Sequence, residues 1–207
     1  MRFSKIAAGV TAFHEKFDLK PISQGGKPEF KLRYDRLIEE MDEIKQAKKD
    51  GDKAGDLIYI AAGTLYLYDQ TAWFTNDQTA WFTNEFEEFE YPILLTTPCG
   101  FMDRFDAEGL IVYVKDTEDT HCDRLAQLII HLITWCANNN WPLDDAWDAV
   151  QAANMAKERA KPDASNSKHK SGQDIVKPEG WKAPDIQAII DLVESGAHVN
   201  PAQKELF

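Results

Sequence analysis

The chain has 207 residues, 43% of them hydrophobic and 28% charged, which is the size and composition of one soluble globular domain. Its net charge of −12 excludes a nucleic-acid polymer as the main partner, because phosphate backbones are bound by cationic surfaces. No run approaches the ~20 apolar residues of a membrane span, and three cysteines without close pairing indicate free thiols in a reducing cytoplasm.

The first part of the chain predicts three helices. Apolar residues at helical spacing indicate a short helix near 4–17, and the Pro and Gly content of 18–28 indicates a loop. A second helix is expected over 29–48, and "DLIYIAAGTLYLY" predicts a buried helix over 52–68 because it is apolar all round. The apolar stripe of the second helix consists of Leu37, Ile38, Met41, Ile44 and Ala47.

The middle of the chain has a different pattern. The octapeptide "DQTAWFTN" at 69–76 is repeated at once, and two β-type runs that follow it predict a hairpin. We therefore predict a mainly α fold in which 1–68 and 120–207 form a helical domain and 69–119 is an insertion with a small β-hairpin. Further helices are expected at "CDRLAQLIIHLITWCANN", at "PLDDAWDAVQAANMAKERA" and near the C-terminus.

Four acidic side chains crowd the second helix at Glu39, Glu40, Asp42 and Glu43. Glu40 and Glu43 are three residues apart, so their carboxylates lie on one face beside the apolar stripe. Carboxylates at the edge of a core are costly without a cation, and Mg²⁺ is a natural partner because it prefers oxygen ligands and keeps waters for a phosphate. An ordinary solvated acidic face explains the same cluster.

Asp52 and Asp56 are four residues apart at the start of the third helix. If the second and third helices form an antiparallel hairpin, these carboxylates and those of Glu40 and Glu43 meet near its turn and form a cage for Mg²⁺. Negative charge also favours a helix N-terminus, which gives both aspartates a purely structural explanation.

Basic residues concentrate later in the chain. Between 157 and 182 there are seven basic residues against four acidic ones, which suits a small phosphorylated ligand. Asn154 and Lys157 are three apart on a predicted helix, where Lys157 could hold a phosphate. A lysine that extends its ammonium to solvent from the helix end explains the same position. The polar composition of 161–174 is typical of a mobile loop.

Several segments together resemble a known family. "VTAFHEKFDL", "LRYDRLIEEMDE", "DKAGDLIYIAAGT", "PLDDAWDAVQAANMAK" and "IVKPEGWKAPDI" occur in the order seen in MazG-like all-α nucleoside triphosphate pyrophosphatases. The sequence is most similar to the phosphoribosyl-ATP pyrophosphohydrolase-like branch, which includes bacteriophage members. The resemblance covers roughly 1–64 and 120–190 and leaves 65–119 unexplained.

The resemblance implies hydrolysis of a nucleoside triphosphate to the monophosphate and pyrophosphate, for control of nucleotide pools such as (d)GTP. It implies that a homodimer or homotetramer works with Mg²⁺, or alternatively Mn²⁺, in the cytoplasm of a bacterium or a phage-infected host. The implied metal ligands are Glu40, Glu43 and Asp56, and Glu39 or Glu40 would orient or deprotonate the attacking water. The substrate contacts expected from the family and from helical spacing are Asn154, Lys157, Lys177 and Tyr59.

The sequence departs from the family pattern in two places. Position 53 is Lys where the family has Glu, so Asp52 would have to substitute or the site would hold fewer metals. The interval from Glu43 to Asp56 is also short, so the insertion either follows the helix over 52–68 or splits it, and we expect it to follow. The alternatives are a non-catalytic nucleotide-binding or interaction module that degenerated from the family, and phosphoribosyl-ATP hydrolysis.

Overall fold

A computed structural model of the chain describes residues 1, 3–47, 51–69 and 122–195. These residues form six α-helices, one 3₁₀ turn and one antiparallel pair of short strands, which confirms the predicted mainly α fold class. The helices are α1 (Phe3–Lys16), α2 (Phe30–Ala47), α3 (Gly51–Leu67), α4 (Cys122–Asn138), α5 (Leu143–Met155) and α6 (Ile186–Glu194). The 3₁₀ turn is Ile22–Gln24, and the strands are β1 (Glu158–Arg159) and β2 (Ile175–Val176). Within this part of the chain, every helix is too short or too polar to cross a membrane.

Helix α3 is the centre of the hydrophobic core. It contacts the other five helices of the described part, and nearly all of its side chains from Ala54 to Leu65 are buried. A helix surrounded by neighbours must be apolar on every side, which is the pattern that "DLIYIAAGTLYLY" shows. The predicted bounds of this helix were one residue too far along the chain, since it begins at Gly51 and ends at Leu67.

Helices α2 and α3 pack side by side and run in opposite directions. Arg33, near the start of α2, donates hydrogen bonds to Thr64 and to the carbonyl oxygen of Ile60, near the end of α3. Leu37, Met41 and Ile44 of the apolar stripe of α2 are buried, and Met41 is only 1% exposed. The antiparallel arrangement of the two helices, which was the condition for the carboxylates to meet, is therefore present in the described residues.

Helix α5 is shorter than predicted, and the prediction that it continues beyond Met155 is wrong. We expected helix through "NMAKERA", but α5 ends at Met155 and the chain enters β1. The extended backbone is held by contacts distant in sequence: Arg159 donates to the carbonyl oxygen of Phe17, and the amide of Ala160 donates to that of Asp174. These bonds replace the helical ones, so Lys157 lies just beyond the helix rather than on it.

The sequence did not predict the small sheet. β1 and β2 pair antiparallel, with Glu158 opposite Val176 and Arg159 opposite Ile175. Strands of two residues are too short to show a period-two pattern. The connection between them is a series of turns rather than a fully exposed loop, and Asp174 at its end is only 2% exposed. The hairpin predicted in the insertion lies outside the described residues.

Candidate functional site

A cavity of about 180 Å³ lies where α2, α3, α5 and the chain after β2 meet, and we call it the outer cavity. Its charged and amide-bearing lining residues are Arg36, Glu39, Glu40, Glu43, Asp56, Asn154, Lys157 and Lys177. Val150, Ala153, Trp181 and Ile186 supply apolar wall. Carboxylates and cations thus share one concave surface, although Lys157 and Lys177 come from a segment more than 100 residues after the carboxylates.

Most of the predicted site residues therefore meet. Seven of them line the outer cavity, namely Glu39, Glu40, Glu43, Asp56, Asn154, Lys157 and Lys177. Tyr59 lines only a neighbouring cavity, and Asp52 lies in the first turn of α3 with its side chain outside the described part of the structure. Glu40, Glu43 and Asp56, which are the implied metal ligands, therefore lie at one cavity and not in separate places.

The backbone of α2 and α3 places the carboxylates. Met41 and Ile44 are buried against the core, so the intervening Glu43 and the preceding Glu40 fall at the boundary, where both are half-buried. Asp56 is likewise half-buried on α3, beside the fully buried Leu57. Because α2 and α3 are antiparallel neighbours, these carboxylates face one cavity.

Glu39 is tied into a network of its own. Its Oε2 lies 3.2 Å from Nη1 of Arg36, Lys168 donates to Oε1, and Nε2 of His169 lies 3.3 Å from Oε2 outside hydrogen-bond geometry. Burial by itself would raise the pKa of Glu39, but the hydrogen bond from Lys168 and the charge of Arg36 outweigh it and lower the pKa. Glu39 is therefore an ionised anchor for the segment that carries Lys168.

Arg36 connects α2 to the segment before β2. Its Nη2 donates to Oδ1 of Asp174 at 2.7 Å and lies 3.3 Å from the carbonyl oxygen of Ile175. Asp174 also accepts a bond of 2.8 Å from the hydroxyl of Ser167. Neither Arg36 nor Asp174 was predicted from the sequence. The position of Arg36, three residues before Glu39, was a weak signal for its role, and nothing in the sequence marked Asp174.

Lys157 is held inside the site rather than extended to solvent. Burial lowers its pKa, Asp56 and Glu40 act in the opposite direction, and Arg36 and Lys177 lower it further. The ammonium groups of Lys157 and Lys177 lie 5.4 and 4.7 Å from the ring centroid of Trp181. A lysine reaching into bulk water would not be desolvated in this way.

Trp181 is itself fixed, because its Nε1 donates a hydrogen bond of 2.9 Å to the carbonyl oxygen of Ala153 in α5. The indole therefore orients both lysines toward the cavity through cation–π contacts, which are worth about 0.5–2 kcal/mol depending on solvent exposure. The sequence motif "KPEGW" contains Trp181 and Lys177, but the role of the indole was not predicted.

A second, smaller cavity of about 70 Å³ adjoins the first, and we call it the inner cavity. The two cavities share the lining residues Arg36, Glu40, Asp56, Asn154 and Lys157. The inner cavity has a more aromatic wall that includes Phe13 and Tyr59. Tyr59 is 3% exposed, its ring packs on Phe13 and Trp147, and its hydroxyl faces Gln151, so it is chiefly a core residue.

The carboxylates fit the chemistry of Mg²⁺ but do not form a closed cage. Among the described side chains, no group of three or more His, Cys, Asp or Glu is arranged to enclose a metal ion. Mg²⁺ does not require such a cage, since it is commonly held by one or two carboxylates, several waters and the phosphates of a substrate. The site therefore fits an ion that arrives with a polyphosphate. The predicted four-carboxylate cage is testable only in part, because it includes Asp52.

Comparisons of the chain with protein-family models, with curated proteins and with solved structures gave no match. The resemblance to MazG-like enzymes is thus carried by the sequence motifs alone. What the geometry adds is independent of any relative: acidic side chains, basic side chains and the buried amide of Asn154 line one cavity. Such a surface can bind a polyanion together with its divalent cation.

Proposed function

We propose that the protein is a Mg²⁺-dependent nucleoside triphosphate pyrophosphohydrolase, which cleaves its substrate between the α- and β-phosphates. The observation that carries the proposal is that Glu40, Glu43 and Asp56 share one cavity with Lys157 and Lys177. Carboxylates alone would repel a triphosphate, and lysines alone would not hold its metal. A metal–triphosphate complex needs both, side by side.

The acidic and the basic side chains have different parts in the proposal. Glu40, Glu43 and Asp56 would hold Mg²⁺, which when bound supplies Lewis acidity toward the phosphates and lowers the pKa of a coordinated water. Lys157 and Lys177 bind phosphate oxygens and stabilise the charge that moves to the leaving pyrophosphate. Their location against Trp181 fixes the two ammonium groups before the substrate arrives.

Of the two candidate bases, Glu40 is the better placed. Both oxygens of Glu39 already accept from cations, and the lowered pKa of Glu39 makes it a poor proton acceptor. Glu40 lines both cavities, at the junction where a substrate would pass from one to the other. We assign to Glu40 the orientation of the attacking water and the removal of its proton, while the new water–phosphorus bond forms and the α–β bridging bond breaks.

The direct test is incubation of the purified protein with each (d)NTP and Mg²⁺, followed by separation of the products. We expect nucleoside monophosphate and pyrophosphate in equal amounts, with no orthophosphate, and no reaction in excess EDTA. Glu43→Gln should reduce the rate at least about 100-fold, because it removes a ligand charge without changing the shape of the side chain.

Asp42→Asn is the matched control. Asp42 belongs to the same acidic cluster of α2, but it is exposed and does not line the outer cavity. It should retain the wild-type rate. Equal effects of Glu43→Gln and Asp42→Asn would remove Glu43 from the proposed site, and the absence of pyrophosphate with every triphosphate would reject the proposed reaction.

One pair of observations favours a second candidate, a nucleotide-binding module without catalysis. Lys53 stands where the family has a metal-binding Glu, and the described carboxylates do not enclose an ion. Calorimetry separates the two functions, since a module of this kind would bind a triphosphate at fixed stoichiometry over hours without releasing pyrophosphate.

A further inference from the structure

Arg33 is a half-buried arginine whose hydrogen-bond acceptors are all neutral. Its Nε lies 3.1 Å from the hydroxyl oxygen of Thr64, and its Nη2 donates to the same oxygen at 2.9 Å and to the carbonyl oxygen of Ile60 at 2.6 Å. Within the described residues, Nη1 has no hydrogen bond and the guanidinium has no carboxylate within ion-pair distance. Arg33 is one of the residues that line the inner cavity.

The adjacent His14 does not compensate this charge. Its Nδ1 lies 2.7 Å from the carbonyl oxygen of Val10, so Nδ1 carries the proton and Nε2 is an uncharged acceptor. Burial, reinforced by the charge of Arg33, lowers the pKa of His14 to about 3, and the ring is neutral near pH 7. Both side chains pack over Gly63, where an added Cβ would lie 2.9 Å from His14 Cε1 and 3.1 Å from Arg33 Nη2.

A guanidinium in this position favours a ligand that brings an oxygen acceptor. Burial is the main cause that lowers the pKa of Arg33 to about 10, which reflects an incompletely solvated cation. Asp174 is the carboxylate that most favours its charge, but that carboxylate is already bonded to Arg36. Burying a cation is costly unless it is paired or hydrogen-bonded. An acceptor delivered to the guanidinium would therefore form a charge-assisted hydrogen bond in a partly desolvated place.

We infer that the inner cavity receives one edge of the nucleobase of the substrate, and that Arg33 selects bases with a carbonyl oxygen at that edge. The inference rests on the proposed function, in which the outer cavity holds the metal and the phosphates. The inner cavity shares Glu40 and Asp56 with the outer one, so a single molecule can extend from one to the other. Phe13, His14 and Tyr59 give the inner cavity an aromatic side that suits a flat ring.

The cavity volume is compatible with part of a heterocycle. A cavity of about 150 Å³ takes up a whole benzene ring, so about 70 Å³ admits one edge of a base and not the whole ring. Guanine, hypoxanthine, uracil and thymine present a carbonyl beside a ring N–H, whereas adenine and cytosine present an amino group at the corresponding position. The amino group cannot accept from Nη1 of Arg33.

The test compares bases that differ in this group alone. For the wild-type protein, kcat/KM should be at least about tenfold higher for inosine than for adenosine triphosphate, and higher for uridine than for cytidine triphosphate, since a hydrogen bond from a charged donor is worth about this factor or more. Arg33→Met should bring both ratios close to one. Lys31→Met, which removes a positive charge from an exposed site two residues away, should leave both ratios unchanged.

Binding of monophosphates separates this inference from the proposed reaction. Calorimetry with inosine and adenosine monophosphate needs neither turnover nor a metal. The comparison of the two ligands on the wild-type protein also does not depend on whether a variant folds. Tighter binding of inosine monophosphate that is lost in Arg33→Met supports the inference, even if no triphosphate is hydrolysed. Equal binding of the two monophosphates, or hydrolysis with ratios near one in the wild type, overturns it while leaving the proposed reaction intact.

Discussion

Replacement of Asp174 by Asn should lower the free energy of unfolding more than any other substitution in the same segment. Asp174 is 2% exposed and accepts from Arg36 at 2.7 Å and from the Ser167 hydroxyl at 2.8 Å. The amide variant keeps the size of the side chain but leaves Arg36 facing an uncharged group. Removing one partner of a buried pair costs about 3–5 kcal/mol, and since Arg36 is 23% exposed and keeps Glu39, we expect about 3 kcal/mol.

The assay is urea denaturation at pH 7, followed by far-UV circular dichroism, with the loss read from the free energy of unfolding. Asp163→Asn is the matched control, because Asp163 lies in the same segment and is fully exposed. Its midpoint should equal that of the wild type. A double-mutant cycle with Arg36→Met should give a coupling of at least about 1 kcal/mol.

Two results would refute this reasoning. If Asp174→Asn and Asp163→Asn had the same midpoint, the buried pair would not stabilise the fold. If the two single changes at Arg36 and Asp174 were additive, any destabilisation would have to come from another contact of Asp174. In either case Arg36 would lose its role as the link between α2 and the segment before β2.

The remaining predictions concern helix packing and titration. Gly63→Ala should cost about 1–3 kcal/mol because its Cβ would meet His14 and Arg33, whereas Gly55→Ala, with Val150 Cγ2 at 3.6 Å, should be neutral or stabilising; thermal melts compare them. His14 has a folded-state pKa of about 3, below its usual 6.5, so stability falls as pH drops between these values. The free energy of unfolding should fall by about 2.5 kcal/mol from pH 7 to 4.5 on account of His14, and this part of the fall should be absent in His14→Gln. Urea titrations at both pH values measure it, and an equal fall in the two proteins would contradict the prediction. Because its pKa is lowered, Glu39 contributes to the stability of the fold above about pH 4.5, and this contribution is lost at lower pH. Glu39→Gln should therefore weaken the dependence of melting temperature on pH on the acid side, and an unaltered profile would contradict this.

The features predicted well from the sequence are those set by local pattern. The uniformly apolar run after Asp56 predicts a central helix, and the stripe around Met41 predicts which face of α2 is buried. Once these two faces are known and the connection is short, the antiparallel hairpin follows, and with it the shared cavity of Glu40 and Asp56. Spacing on helices was therefore sufficient for the acidic half of the site.

The features missed depend on contacts between distant parts of the chain. Arg36 and Asp174 are 138 residues apart, and no local pattern pairs them. The helix predicted through Lys157 ends early because Arg159 and Ala160 find partners in other segments, and helical propensity is too weak to oppose such tertiary contacts. The basic half of the site was thus assigned from composition and resemblance, without its geometry.

A crystal structure with Mn²⁺ and a triphosphate analogue whose α–β bridge resists hydrolysis would test the central claim most directly. The account predicts an anomalous Mn²⁺ peak in the outer cavity, about 2.0–2.3 Å from carboxylate oxygens of Glu40, Glu43 or Asp56, with analogue phosphates on the same ion and within reach of Lys157. Phosphates bound elsewhere, or an ion held without any of these three carboxylates, would contradict it.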